Sequence, residues 1–173
     1  SVEPASGIRQ AVWLGVSVFV GLIIFMMRAK FFENSAGIIY VGSILLLVGL
    51  FPFGTEILGQ KNWYKFGGIS LQPVEFAKIG TALMLANYVS GPDFNLKNKK
   101  SLWTSLAIIG VPAIIVLVIP DVGSLLVFIA FFIALFREGL SGWIFGVGLI
   151  FASVFLVSLA IDPLHVVIAI LLI

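Results

Sequence analysis

Long runs with almost no charge recur along the whole of this chain, and they leave few folds open. They lie near residues 11–27, 37–53, 74–90, 102–119, 122–136 and 142–161, and a further one occupies 164–173. A bilayer core about 30 Å thick is crossed by roughly 17–25 apolar helical residues, which is the length of these runs. They are too long for strands and lack the period-two alternation of a half-buried sheet. The chain is 61% hydrophobic and 10% charged, whereas a soluble domain carries about 45–50% apolar and roughly 25% charged residues. A water-soluble globular domain and a disordered chain are both excluded. The expected fold is all-α: a polytopic transmembrane helical bundle, a single transmembrane domain over 1–173, with six spans and the start of a seventh.

Composition removes several chemistries. The absence of Cys excludes a disulfide scaffold, a thiolate metal site and a thiol nucleophile. One His leaves no room for a His-based metal centre, and a net charge of +2 points to no nucleic-acid partner. The 18 Gly sit largely within the apolar runs, where close helix contacts in membranes favour them.

The loops fall into two alternating sets. One holds six basic residues, Arg28, Lys30, Lys97, Lys99, Lys100 and Arg137; the other holds three, Arg9, Lys61 and Lys65. The richer set is expected in the cytoplasm, which puts 54–71, Asp121 and Asp162 outside. A start at Ser1 on the outer side, and an end inside an apolar run, read as a fragment truncated at both termini.

Polar residues near a bilayer are costly and mark candidate sites. Lys61, Trp63, Tyr64 and Lys65 mix basic and aromatic character in one outer loop. Composition favours an interfacial aromatic belt there; the functional alternative is a platform for a lipid-linked anion, with lysines on phosphate and Trp63 on a ring. In Gln72-Pro73-Val74-Glu75-Phe76-Ala77-Lys78, Pro73 suits a first helical turn and Glu75 suits the positive end of the dipole. Glu75 and Lys78, three apart, share a helix face; the alternative is a helix-start signal with a snorkelling lysine. Pro120-Asp121-Val122-Gly123 reads as a tight turn, although an uncharged residue would serve that turn equally well. Asp162-Pro163-Leu164-His165 reads as ordinary turn chemistry. Pairing in a shared cavity is the cheaper arrangement for charges at this depth, so Glu75, Lys78 and Asp121 are expected in one inward-facing cluster.

Together these segments resemble a known family. Gly59-Gln60-Lys61-Asn62-Trp63, Gly67 and Gln72-Pro73-Val74-Glu75-Phe76-Ala77-Lys78 are similar to G-A-x-R-W … G … Q-P-S-E-F-A-K. Pro120-Asp121-Val122-Gly123-Ser124 and Gly139-Leu140-Ser141 resemble P-D-L-G-T … G-L-S. Both patterns are those of the SEDS family (shape, elongation, division and sporulation), which includes RodA and FtsW; the RodA branch is the nearer resemblance. Asn62, Val74 and Ile119 depart from the pattern, where Arg, Ser and Gln are usual.

The resemblance implies a fold of about ten helices and, in the intact protein, a peptidoglycan glycosyltransferase that polymerises lipid II at the outer face of the bacterial cytoplasmic membrane. It implies lipid II and membrane lipids as ligands, a class B penicillin-binding protein (a transpeptidase) as partner, and a divalent cation, Mg or Mn, as an admissible cofactor. A lipid II flippase and a non-catalytic scaffold are the alternatives. It further implies Glu75, Lys78, Asp121 and Gln72 in the cavity, with Trp63 and Lys61 at its rim. The essential aspartate is expected beyond Ile173, so Asp162 is not assigned that role, and Ser1–Ile173 alone is expected to be inactive.

Overall fold

The computed structural model describes residues 4–57, 60–66, 69–119, 121–143, 145–148, 150 and 153. It divides into two compact units, Ser1–Ser35 and Ala36–Ile173. The elements in chain order are α1 (Pro4–Met26), α2 (Ala29–Val48), α3 (Leu50–Phe53), β1 (Thr55–Ile57), β2 (Gln60–Phe66), β3 (Ile69–Leu71), α4 (Pro73–Val89), α5 (Lys99–Val118) and α6 (Val122–Arg137). Five expected spans thus coincide with helices to within a few residues, except that α1 and α2 begin well before their apolar runs. The expected span over 142–161 is helical at 142–143 and 145–148. Its remainder, the 164–173 run, Asp162 and His165 fall largely outside the described residues.

The helical run Ala29–Phe53, of 25 residues, and Lys99–Val118, of 20, are long and apolar enough to cross a membrane; Gln10–Met26 and Gly123–Arg137 are apolar but shorter. Large apolar side chains cover the outside of these helices, as at Ile38, Trp103 and Ile114. Water is a poor solvent for such a surface, and lipid is a good one.

In the second unit the core lies where α4, α5 and α6 pack on one another. It is filled by Ala77 and Leu85 from α4, Ile109 and Val116 from α5, and Phe128 and Leu135 from α6. Small residues let α2 join it. A Cβ on Gly80 would lie 2.7 Å from Ser43 Oγ and 3.2 Å from Tyr40 Cα, so only glycine permits this approach of α4 to α2. Tyr40 then donates its hydroxyl to Ile108 O at 3.1 Å, tying α2 to α5.

The all-α expectation is corrected between Thr55 and Leu71. That segment, read from sequence as an outer loop, forms a three-stranded antiparallel sheet in the order β1-β2-β3. Trp63 pairs with Thr55, and Tyr64, Lys65 and Phe66 pair with Leu71, Ser70 and Ile69. The physical reason lies in the residue types: Trp, Tyr, Phe, Ile and Thr favour a pleated, half-buried surface. Pairing also satisfies backbone groups that would otherwise lie unpaired against apolar helices.

Candidate functional site

The sheet lies over one end of the helices, and the period of two along β2 sorts its side chains. Asn62 and Tyr64 turn toward the helices. Asn62 is buried, and Tyr64 donates its hydroxyl to Leu46 O at 2.9 Å. A Cβ on Gly49 would come within 2.5 Å of that hydroxyl, so glycine makes room for the ring at the end of α2. Burial pushes the Tyr64 phenol above its ordinary value of 10, and it remains a donor at neutral pH. Lys61, Trp63 and Lys65 take the alternate positions; both lysines are exposed and Trp63 is half-buried. Lys61 and Trp63, the residues expected at the rim, therefore share one face of a strand with Lys65.

Beneath the sheet, two helix starts meet. Gln72 is the N-cap of α4 and Asp121 the N-cap of α6. Gln72 Nε2 donates to Asp121 Oδ2 at 3.1 Å. Ser124 donates its amide to Asp121 Oδ1 at 3.0 Å and its hydroxyl to Oδ2 at 2.9 Å. The carboxylate thus satisfies an orphan amide of α6 and clasps the start of α4 to the start of α6. A void of about 10 Å³ adjoins it, lined by Asn62, Asp121, Leu47, Val74, Val116 and Ile119. That is room for about one water.

One turn into α4, Lys78 Nζ lies 2.7 Å from Glu75 Oε1. The lysine side chain is 19% exposed and the glutamate 54%. The pair expected from the spacing of three is present. The larger cluster is not: among the described residues no hydrogen bond or ion pair joins Glu75 or Lys78 to Asp121, which bonds Gln72 and Ser124 instead. Nor does Glu75 face the interior. Glu75 and Lys78 lie within α4, whereas Gln72 is its N-cap with an extended backbone (φ −104°, ψ 105°), so its side chain leaves on a different line from theirs. That change of backbone separates the clasp from the pair.

Among the described residues no three Asp, Glu or His side chains could hold a metal ion, and Glu75 and Asp121 bind different partners. Sequence reasoning gave no role to Ser124 or Asn62. Ser124 was findable, because Asp followed three residues later by Ser at a helix start is capping geometry. Asn62 was findable only by placing residues 60–66 in a strand, where it alternates with Lys61 and Trp63.

The arrangement can present cations and an aromatic ring at the sheet, and a nearby ammonium one turn into a helix. Known proteins resemble the chain as a whole. Among curated relatives, the chain is 31% identical over 153 residues to the peptidoglycan glycosyltransferase MrdB of Escherichia coli K12, covering 86% of this chain and 41% of that one. It is 34% identical over 150 residues to a probable peptidoglycan glycosyltransferase FtsW of Alkalilimnicola ehrlichii, covering 84% and 37%. Among solved structures, the rod shape determining protein RodA of Thermus thermophilus matches with a TM-score of 0.78 at 28% identity, over 88% of this chain and 51% of that one. A chain from a peptidoglycan synthase complex, described as coordinating polymerization and crosslinking, matches with a TM-score of 0.77 at 29% identity, over 93% and 47%. The chain spans about two fifths of the length of the curated relatives it matches. Relatives named FtsW and RodA match at similar identity, so identity does not separate the branches. The profile of the cell cycle proteins FtsW, RodA and SpoVE matches residues 3–170, and the chain belongs to that family.

Proposed function

We propose that the protein to which this chain belongs is a peptidoglycan glycosyltransferase that polymerises lipid II at the outer face of the bacterial cytoplasmic membrane during cell elongation. The observation that carries this reading is the Lys78–Glu75 pair, set one turn into an apolar helix beside a sheet that bears Lys61, Trp63 and Lys65. The family and the activity printed in its relatives' names supply the reaction class.

Glycosyl transfer from lipid II breaks the bond between the sugar anomeric carbon and the diphosphate, and forms one to the acceptor sugar hydroxyl. Negative charge grows on the departing undecaprenyl diphosphate. An ammonium held where that charge develops lowers the barrier. Lys78 fills this role: it is largely covered by protein and held by Glu75 at 2.7 Å, and it exchanges this partner for phosphate oxygen when the donor binds. Lys61 and Lys65 gather the anionic headgroup from the membrane surface, and Trp63 offers a flat apolar face to a sugar ring. The acceptor proton goes to a carboxylate acting as general base. Asp121 is a poor candidate, because both of its oxygens already accept hydrogen bonds.

The basic loop set Arg28, Lys30, Lys97, Lys99, Lys100 and Arg137 supports a multi-pass topology with those residues in the cytoplasm and the sheet outside. The spans would be α1, α2 with α3, α4, α5, α6 and the run from Gly142, followed by a seventh from Leu164. A transpeptidase is the proposed partner, supported by the synthase complex among the structural neighbours. The test is lipid II polymerisation by the intact protein: no glycan strands from the purified protein would sink the reading and leave a scaffold role, whereas activity that survives Lys78→Met would remove Lys78 from the mechanism. Topology is tested separately by introducing Cys into this Cys-free stretch; labelling of Lys99→Cys from outside would reverse it.

A further inference from the structure

At the opposite end of α4 from the sheet, the chain between Val89 and Lys99 folds back and leaves a cleft of about 480 Å³. Binding sites for small ligands occupy roughly 300–1,000 Å³. One wall is aromatic: Tyr88 and Phe94 meet edge to face with ring centroids 5.6 Å apart. Met84 extends this apolar wall along α4 toward the helix interior, while Asn98, Lys100 and Ser101 line the polar side. The cleft is therefore amphipathic, with its apolar part running along a membrane-length bundle and its polar part at the helix ends.

Charge favours an anion there. Lys97 and Lys99 are exposed beside Lys100, and Asp93 is the acidic residue in the lining, which leaves a local excess of two positive charges from these four residues. The Lys100 amide is already bonded to Asn98 Oδ1 at 3.0 Å, so the donors offered to a ligand are side chains: the Lys100 ammonium, the Asn98 amide and the Ser101 hydroxyl. Trp103, one turn into α5 and well exposed, sits where an interfacial indole anchors a helix at headgroup depth. A basic cleft between helices at that depth matches the headgroup of an anionic phospholipid.

We infer that this cleft binds the phosphate headgroup of an anionic membrane phospholipid, a phosphatidylglycerol-type lipid, with one acyl chain along Met84 and the Tyr88–Phe94 wall. The occupant is a lipid rather than free phosphate, because the apolar wall would add nothing to an inorganic anion. Under the proposed topology the site faces the cytoplasmic leaflet, away from polymerisation.

Native mass spectrometry of the intact protein in detergent, with equal additions of phosphatidylglycerol and phosphatidylcholine, tests the site. Phosphatidylglycerol should be retained preferentially and survive an excess of inorganic phosphate. Lys100→Gln should weaken its retention about fivefold, the weight of one lysine near an anionic surface. Asp93→Asn should strengthen it, and Arg137→Gln, in the last turn of α6 and outside the cleft lining, should leave it unchanged. Equal retention of both lipids, no effect of Lys100→Gln, an equal loss in Arg137→Gln, or full displacement by phosphate would each overturn the inference. Neither polymerase activity nor orientation enters this measurement, so its failure and that of the proposed function are told apart.

Discussion

Asp121 and Glu75 are both carboxylates at helix starts on the same end of the bundle, yet their surroundings oppose each other. Asp121 is half-buried and accepts from Gln72 and from both donors of Ser124. Glu75 is more than half exposed and holds one partner, Lys78. Removing a carboxylate of the first kind strands several donors, and the cost is that of leaving them unmade. Removing one of the second kind costs little, because an exposed ion pair gains modest Coulomb energy in water and loses side-chain entropy. The clasp is built to hold two helices together. The pair is built to be exchanged. Stability and activity should therefore rank the two regions in opposite order.

The largest effect should fall on activity. In the intact protein, Lys78→Met should lower lipid II polymerisation by at least about 100-fold, near 2.7 kcal/mol of transition-state stabilisation, while its detergent melting temperature moves little. Next in size is a loss of stability. Asp121→Ala should cost about 1–3 kcal/mol, since the α6 cap and the link to Gln72 go together. In a double-mutant cycle with Gln72→Ala, the coupling energy should exceed about 0.5 kcal/mol. Additive effects would mean that the 3.1 Å bond carries no weight and that the contrast with Glu75 is overstated.

How much of this was legible in the sequence follows from which forces are local. The apolar runs located α1, α2, α4, α5 and α6, because burial over a helical length leaves a mark on every residue. The spacing of three gave the Glu75–Lys78 pair for the same reason. The sheet was missed although Asn62 and Tyr64 alternate with Lys61, Trp63 and Lys65: three short strands are stabilised by pairing with one another and by the helices beneath, which no short window contains. Asp121 was assigned to the wrong partners because Gln72 and Asp121 are 49 residues apart. Depth alone placed it near Glu75, whereas the extended N-cap of α4 decided that Gln72 was the side chain it reached.

A smaller effect is expected at Tyr64, which joins the sheet to α2. Tyr64→Phe removes the donor to Leu46 O while keeping the ring, and should cost about 0.5–1.5 kcal/mol. The phenol's ionisation is raised in the fold by burial, so the folded form holds its proton more tightly than the unfolded chain. Its contribution is fully present below the ordinary phenol value of 10 and fades as pH rises through the folded one. Melting curves should then show wild type and Tyr64→Phe converging under strongly alkaline conditions. A constant gap across that range would mean that ionisation of the hydroxyl does not weaken its contact with Leu46 O.

The smallest effect should be that of Glu75→Gln on stability. Glu75 is 54% exposed, and exposed pairs three residues apart on a helix are worth roughly 0.2–0.5 kcal/mol. Part of the carboxylate's value is its place in the first turn of α4, where the dipole favours an anion by about 0.3–1 kcal/mol at low salt. Both contributions are screened, so raising the ionic strength should bring wild type and Glu75→Gln together, while the gap between wild type and Asp121→Ala, set by directional hydrogen bonds, should persist. Detergent melting at low and high salt reads the difference directly. A Glu75→Gln loss above about 2 kcal/mol that salt does not reduce would show a pair shielded from solvent, and Glu75 would then belong with Asp121 as a residue that holds the fold.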